Sequence, residues 1–211
     1  GGFSENGREY VIMTEPGKVT PAPWCNVVAN AGFGSIISES GQAYTWLENA
    51  HEFRITPWNN NPVSDLEGEC YYLRDEESGK FWSPAPLPVR SKTPYITRHG
   101  FGYSIFEHSE DGIYTKMTVF VDLEHTVKFT MLHIQNRSGR QRKLSVTGYV
   151  EWVLGAFRPK TQMHVVTAVE PGTGTLFARN DYNTEFAGRV AFFDTDRRLE
   201  SYTCDRKEFL G

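Results

Sequence analysis

One short stretch of the chain gathers Tyr44, Trp46, Arg54, Trp58, Asn59 and Asp65. Aromatic rings can take the apolar face of a sugar, while amides, a guanidinium and a carboxylate pair with its hydroxyls, so this set fits a carbohydrate or partner contact. The same residue types also build ordinary structure. Tyr44 and Trp46, two apart, would share one face of a strand and fit a core, and Asn59-Asn60-Asn61-Pro62 fits a structured turn. Both readings stay open on composition alone. Elsewhere Asp194-Thr195-Asp196 has the form of a metal-binding acidic triplet. Such a triplet works at the end of a strand in an α/β sheet, whereas this one sits between Phe192-Phe193 and Arg197-Arg198 in a chain without βαβ units, and reads as a charged hairpin turn.

None of the six histidines stands two or four residues from another, so local spacing marks no metal site, and no cofactor is expected. Carboxylates cluster at Asp65 and Glu67, at Asp75-Glu76-Glu77, and at Glu107, Glu110 and Asp111. Glycoside cleavage needs at least one sheltered acid, and these read instead as solvated turn acids. The sequence has neither a G-x-S-x-G elbow nor a Walker A loop. A net charge of -4, with no basic stripe, argues against nucleic acid or an anionic membrane as partner. Cys25, Cys70 and Cys204 are an odd, widely spaced set that reads as buried thiols in a reducing, cytoplasmic setting. No apolar run spans a bilayer, the first residues have no signal-peptide pattern, and Asn136-Arg137-Ser138 reads as an unmodified turn.

The elements that must position these groups show a period of two. Residues 113–122 and 127–136 alternate as long strands that are partly apolar on both faces, and residues 143–154 continue the pattern after a polar turn. These three are expected to form an antiparallel meander, with Val119, Phe129 and Val146 buried. Shorter strands are expected at 10–13, 26–29, 35–38, 44–47, 71–74, 176–178, 189–193 and 201–203. Two long Pro- and Trp-containing loops, 56–68 and 82–93, carry enough aromatic content to be packed. No amphipathic helix of four turns is present. Turn residues every 8 to 15 positions then predict a single all-β domain over residues 1–211, built as two packed antiparallel sheets.

A resemblance sharpens this picture. Thr20-Pro21-Ala22-Pro23-Trp24, Tyr44-Thr45-Trp46, the run from Thr56-Pro57-Trp58 to Val63-Ser64-Asp65, Tyr72-Leu73-Arg74-Asp75, Trp82-Ser83-Pro84, Arg98-His99-Gly100-Phe101-Gly102-Tyr103 and Tyr149-Val150-Glu151-Trp152-Val153-Leu154-Gly155 follow one another as in the phosphorylase region of cyclic β-1,2-glucan synthases. That region is similar to cellobiose and chitobiose phosphorylases. The resemblance covers nearly the whole chain and implies a galactose mutarotase-like antiparallel supersandwich. It also implies that the catalytic aspartate and the phosphate site belong to an (α/α)6 barrel following this domain, so no catalytic residue is carried over. Inorganic phosphate would be a co-substrate of the parent enzyme alone. The implied role here is to support homodimer contacts and the active-site mouth, with β-glucan and the barrel as partners. The parent's membrane anchoring, where present, would lie outside this chain. An autonomous β-glucan-binding module and an aldose epimerase-like enzyme are the competing readings.

Overall fold

The computed structural model describes residues 1–59 and 68–211. The strands run in chain order as β1 (Gly2–Phe3), β2 (Glu9–Thr14), β3 (Cys25–Ala29), β4 (Phe33–Ser38), β5 (Ala43–Leu47), β6 (Glu69–Asp75), β7 (Phe81–Trp82), β8 (Tyr95–Gly100), β9 (Tyr103–Glu110), β10 (Ile113–Val121), β11 (Lys128–Asn136) and β12 (Leu144–Val150). A one-turn helix α1 (Arg158–Thr161) follows, then β13 (Val165–Val169), β14 (Leu176–Asn180), β15 (Val190–Phe193) and the short helix α2 (Arg206–Leu210). The chain is therefore all-β, as the periodicity predicts. No helix among the described residues is long and apolar enough to cross a membrane.

One layer is a six-stranded sheet in the order β1-β2-β8-β9-β10-β11, antiparallel throughout. The facing layer is divided between two three-stranded sheets, β3-β4-β5 and β12-β6-β7. Val28, Phe33 and Ile37 close over Phe106, Met117, Val119 and Val121 on one side, and Leu73 and Trp82 meet Ile113, Leu132 and Ile134 on the other. The third small sheet, β13-β14-β15, packs at the end of the sandwich, where Phe53, Leu154, Ala178 and Phe186 form a separate cluster and the Phe53 and Phe186 rings stack at 4.7 Å.

Several expectations need correction. The meander is β9-β10-β11, because β12 crosses to the opposite layer and pairs with β6 in the register Val146↔Leu73. The crossover is pinned by Arg142. Its guanidinium is buried at the junction and bridges Asp75 at the end of β6 to Asp111 in the β9–β10 turn. Of the three expected core residues only Val119 is buried; Phe129 is 43% and Val146 47% exposed. On β11 the inward places go to Lys128, Thr130, Leu132 and Ile134, which turns Phe129 and Met131 outward, and Val146 lies on an edge strand. The expected strand at 201–203 does not form, whereas β8 and β9, of six and eight residues, are strands that apolar alternation does not mark. Finally, Cys70 alone of the three cysteines is buried.

Several of the acids are not solvated either. Asp75 is fully buried, and the backbone N–H of Ser78 and the Arg142 guanidinium hold its carboxyl down at about 2. Glu110 is buried against Lys80, and Glu107 accepts from Arg98 at 2.7 Å and from the Tyr114 hydroxyl at 2.9 Å. Asn136-Arg137-Ser138 forms a turn as expected, whereas Asp194-Thr195-Asp196 is an exposed stretch after β15, the last strand, and so is not the expected hairpin turn; residues 82–86 of the second long loop are buried.

Candidate functional site

Strand alternation on β5 sends Tyr44 and Trp46 to one face and Thr45 to the other. Tyr44 is buried, and its hydroxyl donates to the carbonyl of Ala50. Burial raises the Tyr44 phenol above its ordinary value, against the pull of the Arg54 charge. Trp46 packs 5.3 Å from Tyr44 and lies over Gly34, where a Cβ would come within 2.4 Å of the indole. These two rings are therefore a floor, in line with the core reading. Trp58 is different. It rests 5.2 Å from Tyr44 yet remains 40% exposed, so one side of the indole faces solvent.

The backbone at Arg54 is held from both sides. It bridges Trp46 on β5, and its N–H and C=O exchange bonds of 3.0 and 3.1 Å with Gly155. The guanidinium lies 5.9 Å from the Tyr44 ring centroid. This pairing brings two distant parts of the sequence to one groove of about 370 Å³. Arg54, Pro57, Trp58 and Asn59 form one wall, and Glu151, Val153, Phe157, Arg158 and Arg206 form the other. Of the six residues singled out from sequence, Arg54, Trp58 and Asn59 line the groove, Tyr44 and Trp46 support it from below, and Asp65 lies outside the described residues.

The second wall was not read from sequence. Glu151 is nearly buried and accepts from Arg158, from Arg206 at 3.4 Å and from the Tyr149 hydroxyl at 2.9 Å. Burial and the neighbouring Glu151 charge push the Tyr149 phenol up to about 12. Phe209 of α2 stacks on Tyr149 at 5.2 Å, and Asp205 caps the helix by accepting from the N–H of Lys207 and Glu208. The only sequence signal for this wall was the alternation of Tyr149 and Glu151, which says nothing of what they face.

Chemically the groove carries groups suited to contact rather than to proton transfer. It offers a half-exposed indole, an exposed Phe157 ring, two arginines with accessible faces and the Asn59 side chain. Glu151 is the one carboxylate among its described lining residues, and both its oxygens are engaged by cations or a phenol, so the paired carboxylates of glycoside cleavage are not assembled there.

Comparison with known proteins accounts for nearly the whole chain. The family model described as glycosyl hydrolase 94, supersandwich domain, matches residues 8–211. The chain is 41% identical over its full length to the cyclic beta-(1,2)-glucan synthase NdvB of Rhizobium meliloti, of which it covers 8%. It is 34% identical over its full length to the N,N'-diacetylchitobiose phosphorylase of Vibrio furnissii, covering 27% of that protein. A solabiose phosphorylase of Paenibacillus borealis is 33% identical over 74% of the chain, which spans 20% of that protein. The chain thus spans between about a twelfth and about a quarter of the length of these relatives.

Proposed function

Because this chain belongs to the glycosyl hydrolase 94 supersandwich family, we propose that it is the non-catalytic β-sandwich of a β-1,2-glucan-processing glycoside phosphorylase or cyclic glucan synthase. In this reading the Trp58 groove meets the catalytic (α/α)6 barrel or a second subunit and shapes the mouth of the active site. The supporting observation is the full-length 41% identity to a cyclic β-1,2-glucan synthase, taken with a groove built for contact rather than for proton transfer. The parent reaction would use inorganic phosphate and no other cofactor, on the cytoplasmic side, in a homodimer. Incubating the chain alone with β-1,2-glucan and phosphate is expected to release no glucose 1-phosphate, and release would overturn the proposal.

The half-exposed Trp58 favours a second reading, that of an autonomous β-glucan-binding surface. Calorimetric titration with β-1,2-gluco-oligosaccharides separates the two. Binding by the chain alone, abolished by Trp58→Ala, supports the second reading, and an absence of binding supports the first.

A further inference from the structure

Lys128 is the first residue of β11, and its side chain takes an inward place ahead of Thr130, Leu132 and Ile134. With only 13% of its side chain exposed, it forms an ion pair with Glu69, which is equally buried. Exchanging such a pair for apolar residues is often neutral or stabilising, so stability alone is a poor reason for two charges between sheets.

The bonding pattern supplies another. An ammonium has three N–H donors, and all three are used: on Glu69, on Thr45 Oγ at 2.7 Å and on Ser35 Oγ at 3.3 Å. The other oxygen of Glu69 accepts from Thr45 Oγ at 2.5 Å and from Thr56 Oγ at 2.6 Å. Thr56 Oγ in turn accepts the N–H of Thr45 at 2.8 Å. Burial works against the charge on Glu69, yet Lys128 and the two hydroxyls together hold its carboxyl below the ordinary value. The network joins the six-stranded sheet to β4, β5 and β6.

One of its carboxylate-bonded ends lies within the first wall of the groove, and the other adjoins a residue that touches both walls. Thr56 immediately precedes Pro57-Trp58-Asn59, and Glu69 immediately follows Gly68. Gly68 lies so close to Pro57 that a Cβ would meet the ring at 2.7 Å, and its carbonyl accepts the N–H of Glu151, on the opposite wall, at 2.8 Å. We infer that Lys128 and Glu69 are positioning residues for the Trp58 groove, fixing through Thr56 the point where the chain leaves the core and so setting the distance between the two walls. This rests on the preceding reading only where a ligand is concerned, because the geometry of the groove can be measured without one.

The test uses the whole 211-residue chain labelled with 5-fluorotryptophan. The Trp58 fluorine resonance is assigned with Trp58→Phe, and amide exchange is followed at Thr45, within the network, and at Phe106, in the distant core. In Glu69→Gln/Lys128→Met, Thr45 exchange is expected to quicken by about tenfold while Phe106 stays within about twofold, as for local rather than global opening, and the Trp58 resonance should shift or broaden. Thr56→Val leaves both charges in place and removes both bonds of its hydroxyl, to Glu69 and from the Thr45 N–H, so its deciding readout is the Trp58 resonance, which should shift or broaden as in the double variant and decides the matter if that variant does not fold. Thr45 and Phe106 quickening together, or an unmoved Trp58 resonance in a folded variant, would overturn the inference. A wild-type chain that binds no oligosaccharide bears on the glucan-binding reading alone and leaves these measurements decisive.

Discussion

Trp58→Ala is the perturbation that best separates a contact residue from a plug at the end of the sandwich. Trp58 is 40% exposed, leaving about 60% of its surface covered, with the Tyr44 ring 5.2 Å away. An aromatic side chain of this size buries on the order of 200 Å² when fully enclosed. About 120 Å² is therefore at stake, or ~3 kcal/mol at ~25 cal/mol per Å². The groove is open to solvent, so truncation leaves no sealed cavity, and the expected cost falls to about 2 kcal/mol, below the ~3–5 kcal/mol of a fully enclosed Trp. In a chain of this length that is a drop in Tm of roughly 4–8 °C, measured by thermal melting of the chain by itself. In the proposed parent enzyme the same substitution should weaken dimerisation or raise KM, because the exposed face of the indole is an apolar anchor in the groove. A loss of ~4 kcal/mol or more in the isolated chain, with assembly and KM unchanged in the full-length enzyme, would refute the contact role.

The crossing of β12 to the second layer is tested by two cross-strand partners. Leu73→Ala, at a fully buried position, should cost about 2–5 kcal/mol in denaturant melts, and Val146→Ala, at 47% exposure on an edge strand, under ~1 kcal/mol; equal losses would place β12 in the interior after all. Gly148→Ala should cost about 1–3 kcal/mol, because the new Cβ would stand 2.6 Å from the Phe193 ring, and an unchanged Tm would mean that the end sheet does not press on β12. Asp75 has its carboxyl lowered in the folded chain from 3.8 to about 2, so the stability it provides is complete above about pH 4 and is lost as pH falls toward 2. The Tm difference between wild type and Asp75→Asn should therefore shrink over that interval, and a difference independent of pH would count against the buried Asp75–Arg142 pair.

How far the fold could be read from sequence depended on whether a strand's inner face was apolar. On β10 the set Ile113, Met117, Val119 and Val121 is inward and was legible as such. On β8 and β9 the inner face is largely polar. His99 bonds the Trp24 carbonyl at 3.0 Å and Ser104 Oγ at 2.9 Å, Thr97 donates to the Glu39 carbonyl at 2.8 Å, and the His108 ring stacks at 3.7 Å on Tyr95. Burial then lowers the pKa of both histidines, as expected for neutral rings used as hydrogen-bonding core residues. A hydrophobic period cannot report strands that are buried through satisfied polar groups. β11 fails in a different way, since both of its faces carry apolar residues and the choice between them is made by Lys128 reaching Glu69, 59 residues earlier.

The same limit divides the candidate site. Arg54, Trp58 and Asn59 were legible because they are neighbours in sequence with a composition suited to contact. Glu151, Arg158 and Arg206 were not, because what makes them a wall is the pairing of Arg54 with Gly155, a contact across 101 positions (155 minus 54) that no local spacing encodes. Resemblance to a family restores the order of such segments but not their facing, since it shows that residues recur without showing what each one touches. Hence the two tryptophans of one short motif have different roles. Trp46 is fixed by strand alternation over Gly34, and Trp58, past the end of that strand, is free of the alternation and is set by the neck at Thr56.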